Sequence, residues 1–193
     1  MRRVAVFCGS SPGRDPRFAA SAAALAQELV SRGIGIVFGG GSIGLMGVLA
    51  DRALALGGAV TGVIPHGLAA RELAHHGVAD MRVVPTMHAR KALMAGLADG
   101  FVALPGGIGT FEELFEIVTW GQLGIHRKPI GVLNVAGYYD PLVALLDHAV
   151  AGGFVSPANR GLVVVGEEPA VLLDRMAAHE PPPGPAWITP EEA

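Results

Sequence analysis

The sequence has 193 residues, of which 51% are hydrophobic and 16% are charged, so it suits one well-packed domain and excludes an intrinsically disordered chain. A formal net charge of −3 and the absence of basic runs argue against a general nucleic-acid-binding protein. That argument concerns polymers and leaves room for a local phosphate pocket.

The predicted elements alternate between strands and helices along the chain. Short apolar runs predict seven strands, at residues 4–8, 34–38, 59–64, 81–84, 101–104, 129–135 and 162–165. Helical patterns predict six helices, at residues 16–31, from the glycines near 47 to 56, and at 86–98, 110–123, 141–150 and 169–179. This alternation predicts the α/β class, with a doubly wound parallel sheet and helices on both faces. Residues 65–78 fit neither pattern, and the proline-rich residues 181–193 predict a mobile tail.

Three glycine-bearing loops follow predicted strands. In a doubly wound sheet, ligands bind beyond the carboxyl ends of the strands. The loops expected there contain Gly9 and Ser10, then Gly41 and Ser42, and finally residues 105–110. Together these three loops predict a nucleotide-sized pocket at one edge of the sheet.

The most informative loop has the sequence LPGGIGTFEE, at residues 104–113. Its glycines, Gly106, Gly107 and Gly109, let the backbone fold tightly and leave several N–H groups uncovered. Those groups lie at a helix N-terminus, where the helix dipole favours an anion such as phosphate. Because no lysine follows the glycines, the loop is not of the Walker type, and a monophosphate is the more natural ligand.

Two roles are open for Glu113, at the start of the following helix. Thr110 and Glu113 fit the capping box T-x-x-E, in which both side chains would only cap the helix. A catalytic carboxylate beside the phosphate site is about equally supported by the chemistry alone. Glu112 and Glu116 share one helix face, and we expect them to be solvated. The expected core stripe of this helix consists of Phe111, Leu114, Phe115 and Val118.

A second informative stretch crowds positive charge into the first turn of a helix. Thr86 is a suitable N-cap, and His88, Arg90 and Lys91 follow it, with the charge that the helix dipole disfavours at this end. Arg90 lies on an apolar stripe with Met87, Met94 and Leu97, and we expect all four positions to be partly buried. A buried guanidinium needs an anionic partner. That partner is either a structural carboxylate or a ligand phosphate together with Glu113, and we favour the ligand role.

Other site classes receive little support from the sequence. Gly39, Gly41 and Gly44 match G-x-G-x-x-G, but no acid ends the next strand to hold a ribose, which disfavours NAD. The histidines lack the spacing of metal ligands, so we expect no metal site. The lone cysteine, Cys8, excludes a disulfide framework and fits a reducing compartment. No apolar segment reaches the roughly 18 residues of a membrane span, so we expect a cytoplasmic protein without membrane contact.

Two signatures, in order, resemble those of the Lonely-Guy family of cytokinin riboside 5′-monophosphate phosphoribohydrolases, which are often mislabelled lysine decarboxylases. Residues 105–113 (PGGIGTFEE) look like the signature P-G-G-x-G-T-x-x-E, and residues 87–91 (MHARK) look like the element M-H-x-R-K. Residues 39–47, 120–126, 128–129 and 137–140 also resemble segments of the family. The resemblance covers roughly residues 4–165.

The resemblance implies a Rossmann-like fold, with a single nucleotide-binding domain over residues 1–180, and a homodimer with active sites near the subunit interface. It implies hydrolysis of the bond between N9 of an adenine-type base and C1′ of ribose 5-phosphate, without a cofactor. Carried over by position, Arg90 and Glu113 are the catalytic pair. The resemblance also implies that Gly106, Gly107, Gly109 and Thr110 hold the phosphate. Together with the other two glycine loops and residues 87–91, the predicted substrate-binding residues are Gly9, Ser10, Gly41, Ser42, Met87, Arg90, Lys91, Gly106, Gly107, Gly109, Thr110 and Glu113.

Three rival functions follow from the same features. A lysine decarboxylase that uses pyridoxal phosphate needs a Schiff-base lysine, and neither Lys91 nor Lys128, the two lysines of the chain, lies in a recognisable cofactor motif. We therefore reject that activity. A nucleotide nucleosidase that prefers another base is an enzymatic alternative. A non-catalytic carrier of a nucleotide or of a phosphate-bearing cofactor is the alternative from a different class.

Overall fold

The computed structural model describes residues 1–69, 73–180 and 182, and in these residues seven β-strands alternate with eight α-helices. The strands are β1 (Arg3–Phe7), β2 (Gly35–Phe38), β3 (Val60–Pro65), β4 (Asp80–Val84), β5 (Gly100–Ala103), β6 (Ile130–Leu133) and β7 (Val163–Gly166). The helices are α1 (Pro16–Ser31), α2 (Gly44–Ala55), α3 (His66–Ala69), α4 (Met87–Leu97), α5 (Ile108–Leu123), α6 (Asp140–Ala151), α7 (Pro157–Arg160) and α8 (Pro169–Ala178).

All seven strands form one parallel sheet, in the order β4-β3-β2-β1-β5-β6-β7. The central strand β1 is buried between its neighbours, with Val6 beside Phe38 of β2 on one side and Val102 of β5 on the other. Short, continuously apolar strands of this kind are typical of parallel sheets that are covered on both faces. The seven predicted strands and the predicted doubly wound class are thereby confirmed.

Helices cover both faces of the sheet. Because successive side chains of β1 point to opposite faces, Val4 and Val6 join one core cluster and Ala5 and Phe7 join the other. The first cluster packs against α1, α2 and α8, through buried leucines such as Leu25. The second packs against α4 and α5 and, through partly buried side chains, against α6.

The strand order reverses between β1 and β5. Strands β2 to β4 lie on one side of β1, and strands β5 to β7 lie on the other. The connections after the adjacent strands β1 and β5 lead to helices on opposite faces, which opens a crevice at the carboxyl edge of the sheet. The loops meet there backbone to backbone. The Gly9 N–H donates to the Pro105 carbonyl at 3.0 Å, and the Leu45 N–H donates to the Gly9 carbonyl at 2.9 Å. Three loops distant in sequence are thus fixed to one another.

The buried face predicted for α5 was wrong, because the observed face is shifted by one residue toward the N-terminus. The helix begins at Ile108 with Gly107 as its N-cap, and its buried residues are Thr110, Glu113, Leu114 and Ile117. Phe115, expected in the core, is 39% exposed. Apolar residues occur on both sides of this helix, so hydrophobic spacing alone did not identify the side that faces the sheet.

Smaller differences concern the helix starts and the connections. Thr86 is the N-cap of α4, as predicted, and its hydroxyl accepts a bond from the Ala89 N–H. Met87, expected to be partly buried, is exposed at the first position of that helix. The short helices α3 and α7 were not predicted. The predicted mobile tail, residues 181–193, lies outside the described residues except for Pro182. Within the described ranges, none of the helices combines the length and apolar character that a membrane crossing requires.

A pair of glycine substitutions tests the loop junction. Gly44 and Gly57 both have positive φ angles, +62° and +72°. A Cβ at Gly44 would lie 2.3 Å from the carbonyl carbon of Ser10, whereas a Cβ at Gly57 would meet no atom within 4 Å. Left-handed strain lowers the free energy of unfolding by about 1 kcal/mol in each alanine variant, and the collision adds about 2 kcal/mol more in Gly44→Ala. Urea unfolding of both variants measures the difference, and equal losses would contradict the described packing.

Candidate active site

A buried ion pair lies beside the loop junction. The Nη1 atom of Arg90, on α4, lies 2.9 Å from Oε1 of Glu113, on α5. The two residues are only 8% and 6% exposed. Both come from early turns of helices that begin at the carboxyl edge of the sheet, which is why two residues 23 positions apart in sequence meet there. The expected burial of Arg90 is confirmed.

Two backbone features fix the Arg90 guanidinium in place. Its Nε–H donates to the carbonyl of Val63 on β3, at 3.1 Å. A Cβ at Gly39, just after β2, would lie 2.1 Å from Nη2 of Arg90. Only a glycine leaves room for the side chain to lie against the backbone here. Sequence reasoning noted Gly39 in a glycine motif but missed that its contact is with an arginine.

The environment of Glu113 alters its acidity. Burial raises the pKa of this carboxyl above its usual range, against the opposing effect of the Arg90 charge. Among more distant groups, Glu112 raises this pKa further and Lys91 lowers it. A carboxyl whose pKa lies closer to neutrality is suited to accepting a proton in catalysis.

The capping-box hypothesis for Glu113 was wrong. Because α5 begins two residues earlier than expected, Thr110 lies inside the first turn and not at the cap. Thr110 instead supports the glycine loop, since a Cβ at Gly106 would lie 2.1 Å from its Oγ1. The carboxylate of Glu113 contacts Arg90 and does not cap the helix.

The N-terminus of α5 is open on its outer side. The first bond within the helix runs from the Phe111 N–H to the Gly107 carbonyl, at 3.1 Å. The N–H groups of Ile108, Gly109 and Thr110 therefore have no acceptor inside the helix. A Cβ at Gly107 or Gly109 would meet no atom within 4 Å. Uncovered N–H groups at the positive end of a helix dipole form a suitable site for an anion.

A cavity of about 300 Å³ adjoins the glycine loop. It brings together four of the predicted substrate-binding residues, Gly9, Ser10, Gly106 and Gly107. Aromatic side chains of Phe18 and Tyr138 and the side chain of Leu45 on α2 form part of its wall. The crevice between β1 and β5 thus offers polar backbone together with an apolar surface, as nucleotide sites commonly do.

The second glycine loop is held by a segment that carried no motif in the sequence. The N–H and hydroxyl groups of Ser42 donate to the Leu73 carbonyl at 3.0 and 3.3 Å, and Gly41 forms an antiparallel bridge with Ala74. The buried His75 follows, and its Nε2 lies 3.0 Å from Oδ1 of Asp51. Gly41 and Ser42 are therefore fixed to residues 73 and 74. No periodicity distinguishes residues 73–75, so sequence reasoning could not find them.

Lys91 lies next to Arg90 but points to other partners. Its buried Nζ contacts Oε1 of Glu112 and lies 3.0 Å from Oε1 of Glu116. The expectation that both glutamates are solvated holds for Glu112, which is exposed, whereas Glu116 is only partly exposed. The contact of both with a lysine from a neighbouring helix was not predicted. The substrate-binding roles of Lys91 and of the exposed Met87 stay predictions.

The cysteine and the potential metal ligands are two further candidates for chemistry. Burial raises the pKa of the Cys8 thiol, and the charge of Glu113 adds to this effect, so Cys8 is poorly suited to act as a nucleophile. Across residues 1–69, 73–180 and 182, no three His, Cys, Asp or Glu side chains form a group that could hold a metal ion.

Comparison with protein families and curated proteins gives consistent matches. Residues 46–176 match the family described as "Possible lysine decarboxylase". The chain is 51% identical over 182 residues to a protein of Oryza sativa subsp. japonica named probable cytokinin riboside 5′-monophosphate phosphoribohydrolase, with 94% of this chain and 74% of that protein covered. It is 48% identical over 180 residues to a cytokinin riboside 5′-monophosphate phosphoribohydrolase of Arabidopsis thaliana, with 93% and 83% covered.

Solved structures share the fold at low sequence identity. The molybdenum cofactor carrier protein of Chlamydomonas reinhardtii matches with a TM-score of 0.69 at 20% identity, over 92% of this chain and 98% of that one. A molybdenum cofactor binding protein of Rippkaea orientalis matches with a TM-score of 0.68 at 19% identity, over 91% and 95%. At such identity, these similarities concern the fold alone.

The acidity of Glu113 can be tested through its charged neighbours. Because the Lys91 charge lowers the pKa of Glu113, Lys91→Met raises that pKa further. If the ionised form of Glu113 is the active one, the acidic limb of the kcat/KM–pH profile moves to higher pH. Arg82→Met removes an equal charge from an exposed position on β4, and we expect it to leave the limb in place. A limb that stays fixed or moves to lower pH in Lys91→Met would contradict the described electrostatics.

Proposed function

The chain belongs to the family of cytokinin riboside 5′-monophosphate phosphoribohydrolases, and we propose that it cleaves the N-glycosidic bond of N6-modified adenosine 5′-monophosphates. The products are the free base and ribose 5-phosphate. The observation that carries this proposal is the buried pair of Arg90 and Glu113 beside the open glycine loop that begins α5.

The proposed phosphate site is the N-terminus of α5. The N–H groups of the N-cap Gly107 and of Ile108, Gly109 and Thr110, together with the positive end of the helix dipole, favour an anion at this position. No lysine is available in the loop to span a longer phosphate chain, which supports a monophosphate. Residues Gly106, Gly107 and Gly109 keep the backbone accessible to it.

The proposed chemistry places Glu113 next to the ribose. Cleavage of an N-glycosidic bond builds positive charge on the sugar, and a nearby carboxylate stabilises that charge in a water-poor site. The raised pKa of Glu113 also suits it to take a proton from the attacking water, or to position a ribose hydroxyl. Arg90 favours the ionised form of Glu113, because its charge lowers the pKa of this carboxyl, and the 2.9 Å contact orients it.

Two alternatives are weaker on structural grounds. A decarboxylase that forms a Schiff base needs an available lysine, but Lys91 is buried between two glutamates and Lys128 donates to the Ala95 carbonyl at 2.7 Å. A carrier of a nucleotide or of a phosphate-bearing cofactor would share the glycine loops. It would have no need of a buried carboxylate with a raised pKa, which disfavours this alternative.

Base release is the direct test of the proposed activity. The purified protein is incubated with AMP and with N6-substituted adenosine monophosphates, and free base and ribose 5-phosphate are quantified. We expect Glu113→Gln to lower kcat by about 100-fold or more, because the amide can neither accept a proton nor stabilise positive charge. An exposed change, Asp174→Asn on α8, serves as the control with wild-type rates. Absence of base release by the wild type would contradict the proposed activity. Tight binding of the nucleotide without turnover would favour the carrier function.

We further propose that the protein is a homodimer that associates through the face formed by α4, α5 and α6. None of the 12 residues of α6 is buried, although the helix carries several leucines and valines. Leu145 on α6 is 57% exposed, and Phe154, just after this helix, is 91% exposed. A helix with so much uncovered apolar surface favours association with a partner.

The groove between α4 and α5 supports a second copy as the partner. It encloses about 610 Å³ and is lined by small residues of α4, Ala92 and Gly96, and by Trp120 of α5. Glu116 also lines it, and its Oε2 atom is buried without a hydrogen-bond partner among the described residues. An isologous interface would bring apolar side chains and a donor into this groove, and it would cover both copies of the apolar face at once.

The solution mass tests the dimer. Each chain has a mass of 19.8 kDa, and we expect about twice this value by light scattering. Leu145→Glu places a charge in the proposed interface and shifts the mass to that of a monomer. Val171→Glu changes an apolar side chain of similar exposure on α8, which packs on the opposite face of the sheet, and leaves the dimer intact. A monomeric wild type would refute the dimer, and a dimeric Leu145→Glu would place the interface elsewhere.

Location and domain organisation remain proposals of the same kind. We propose that residues 1–180 act as one nucleotide-binding domain. We also propose a cytoplasmic location, for which the lone buried Cys8 is the supporting feature.

A further inference from the structure

The turn between β6 and α6 holds the carbonyl side of the glycine loop. The hydroxyl of Tyr138 donates to the Gly106 carbonyl, and the hydroxyl of Tyr139 donates to the Leu104 carbonyl at 2.7 Å. Two successive tyrosines therefore bind the loop on both sides of Pro105. Neither contact was foreseen from the sequence, where these tyrosines were only part of a family-like segment.

This turn is itself strained and firmly anchored. Ala136 has φ +54° and ψ +31°, a left-handed conformation that is rare for alanine. The side chain of Asn134 holds the turn, since its Oδ1 accepts from the Tyr139 N–H and its Nδ2 donates to Asp140, both at 2.7 Å. Backbone strain of this kind persists only where the surroundings impose it, and it occurs preferentially at functional sites.

Every carbonyl group of the loop from residue 104 to residue 107 accepts a hydrogen bond. Besides the two tyrosine contacts, the Pro105 carbonyl accepts from Gly9 and the Gly107 carbonyl accepts from Phe111. In a planar trans peptide, the C=O and N–H groups point in opposite directions. Fixing the Gly106 carbonyl therefore also fixes the direction of the Gly107 N–H group.

We propose that Tyr138 is a positioning residue for the substrate phosphate, which acts by orienting the Gly107 N–H toward the anion. This inference rests on the proposed function, because it assigns the phosphate to the same loop. Tyr139 differs in one decisive respect. The peptide that follows the Leu104 carbonyl ends at the nitrogen of Pro105, which carries no hydrogen, so the Tyr139 contact orients no donor.

The two tyrosines provide a matched test. Tyr138→Phe keeps the ring, which packs edge-on against Phe18 at 5.6 Å and lies 6.4 Å from the Phe111 ring, and removes only the hydroxyl. We expect the KM for a nucleoside 5′-monophosphate and the Kd for ribose 5-phosphate to rise about 3- to 10-fold. The value of kcat stays near that of the wild type, because the phosphate contact is equally strong in the ground state and the transition state.

The control is Tyr139→Phe, which removes a buried hydroxyl from the same loop. We expect it to lower the Tm while both KM and the ribose 5-phosphate Kd stay at wild-type values. Ribose, which lacks the phosphate, is the control ligand for the wild type, Tyr138→Phe and Tyr139→Phe. We expect Tyr138→Phe to leave the weak binding of ribose unchanged, because this variant affects only the phosphate contact.

The outcomes separate this inference from the proposed activity. If the wild type releases no base but binds ribose 5-phosphate, the enzyme proposal fails, and the Kd comparison still decides the role of Tyr138. An unchanged Kd and KM in Tyr138→Phe would overturn the inference. An equal rise in Tyr139→Phe would also overturn it, since general loosening of the loop would then account for both. Absence of ribose 5-phosphate binding to the wild type would refute a phosphate site on this loop.

Discussion

The ion pair between Arg90 and Glu113 is the interaction on which the site depends. Moving two charges out of water is unfavourable, and their mutual attraction offsets this only when the geometry is good and further hydrogen bonds complete the pair. The Val63 carbonyl supplies such a bond, and the missing side chain of Gly39 supplies the space. The pair thus explains a charged residue in the first turn of α4, where the helix dipole disfavours it.

The parallel sheet explains how the remaining groups reach this pair. Its strands end at one edge, so loops that are distant in sequence meet there and exchange backbone hydrogen bonds, as between Gly9 and Pro105. The first turn of α5 then presents N–H groups, and Glu113 follows them on the inward side of the same helix. The proposed anion site and the carboxylate are consequently parts of one helix, which suits the proposed substrate, with its phosphate and its reacting sugar carbon.

The fold and the principal pair could be predicted from the sequence, whereas the supporting contacts could not. The apolar strands follow from local patterns. Charge and burial indicate that Arg90 needs an anionic partner, and the family resemblance pairs it with Glu113. The inward side of α5 was mispredicted, because Thr110 and Glu113 are polar residues that only tertiary contacts turn toward the sheet. The segment that holds Ser42 and the two tyrosines acts through long-range contacts with single carbonyl groups, which leave no periodic signal.

The position of β1 has a consequence for the order of folding. This strand pairs with β2 nearby in sequence, but its other neighbour is β5, with Val4 beside Gly100. During synthesis, therefore, one of the two edges of the central strand remains unpaired until more than half of the chain has emerged. Arg90 is synthesised before Glu113, so the ion pair also forms only after β5 and the first turns of α5 have emerged.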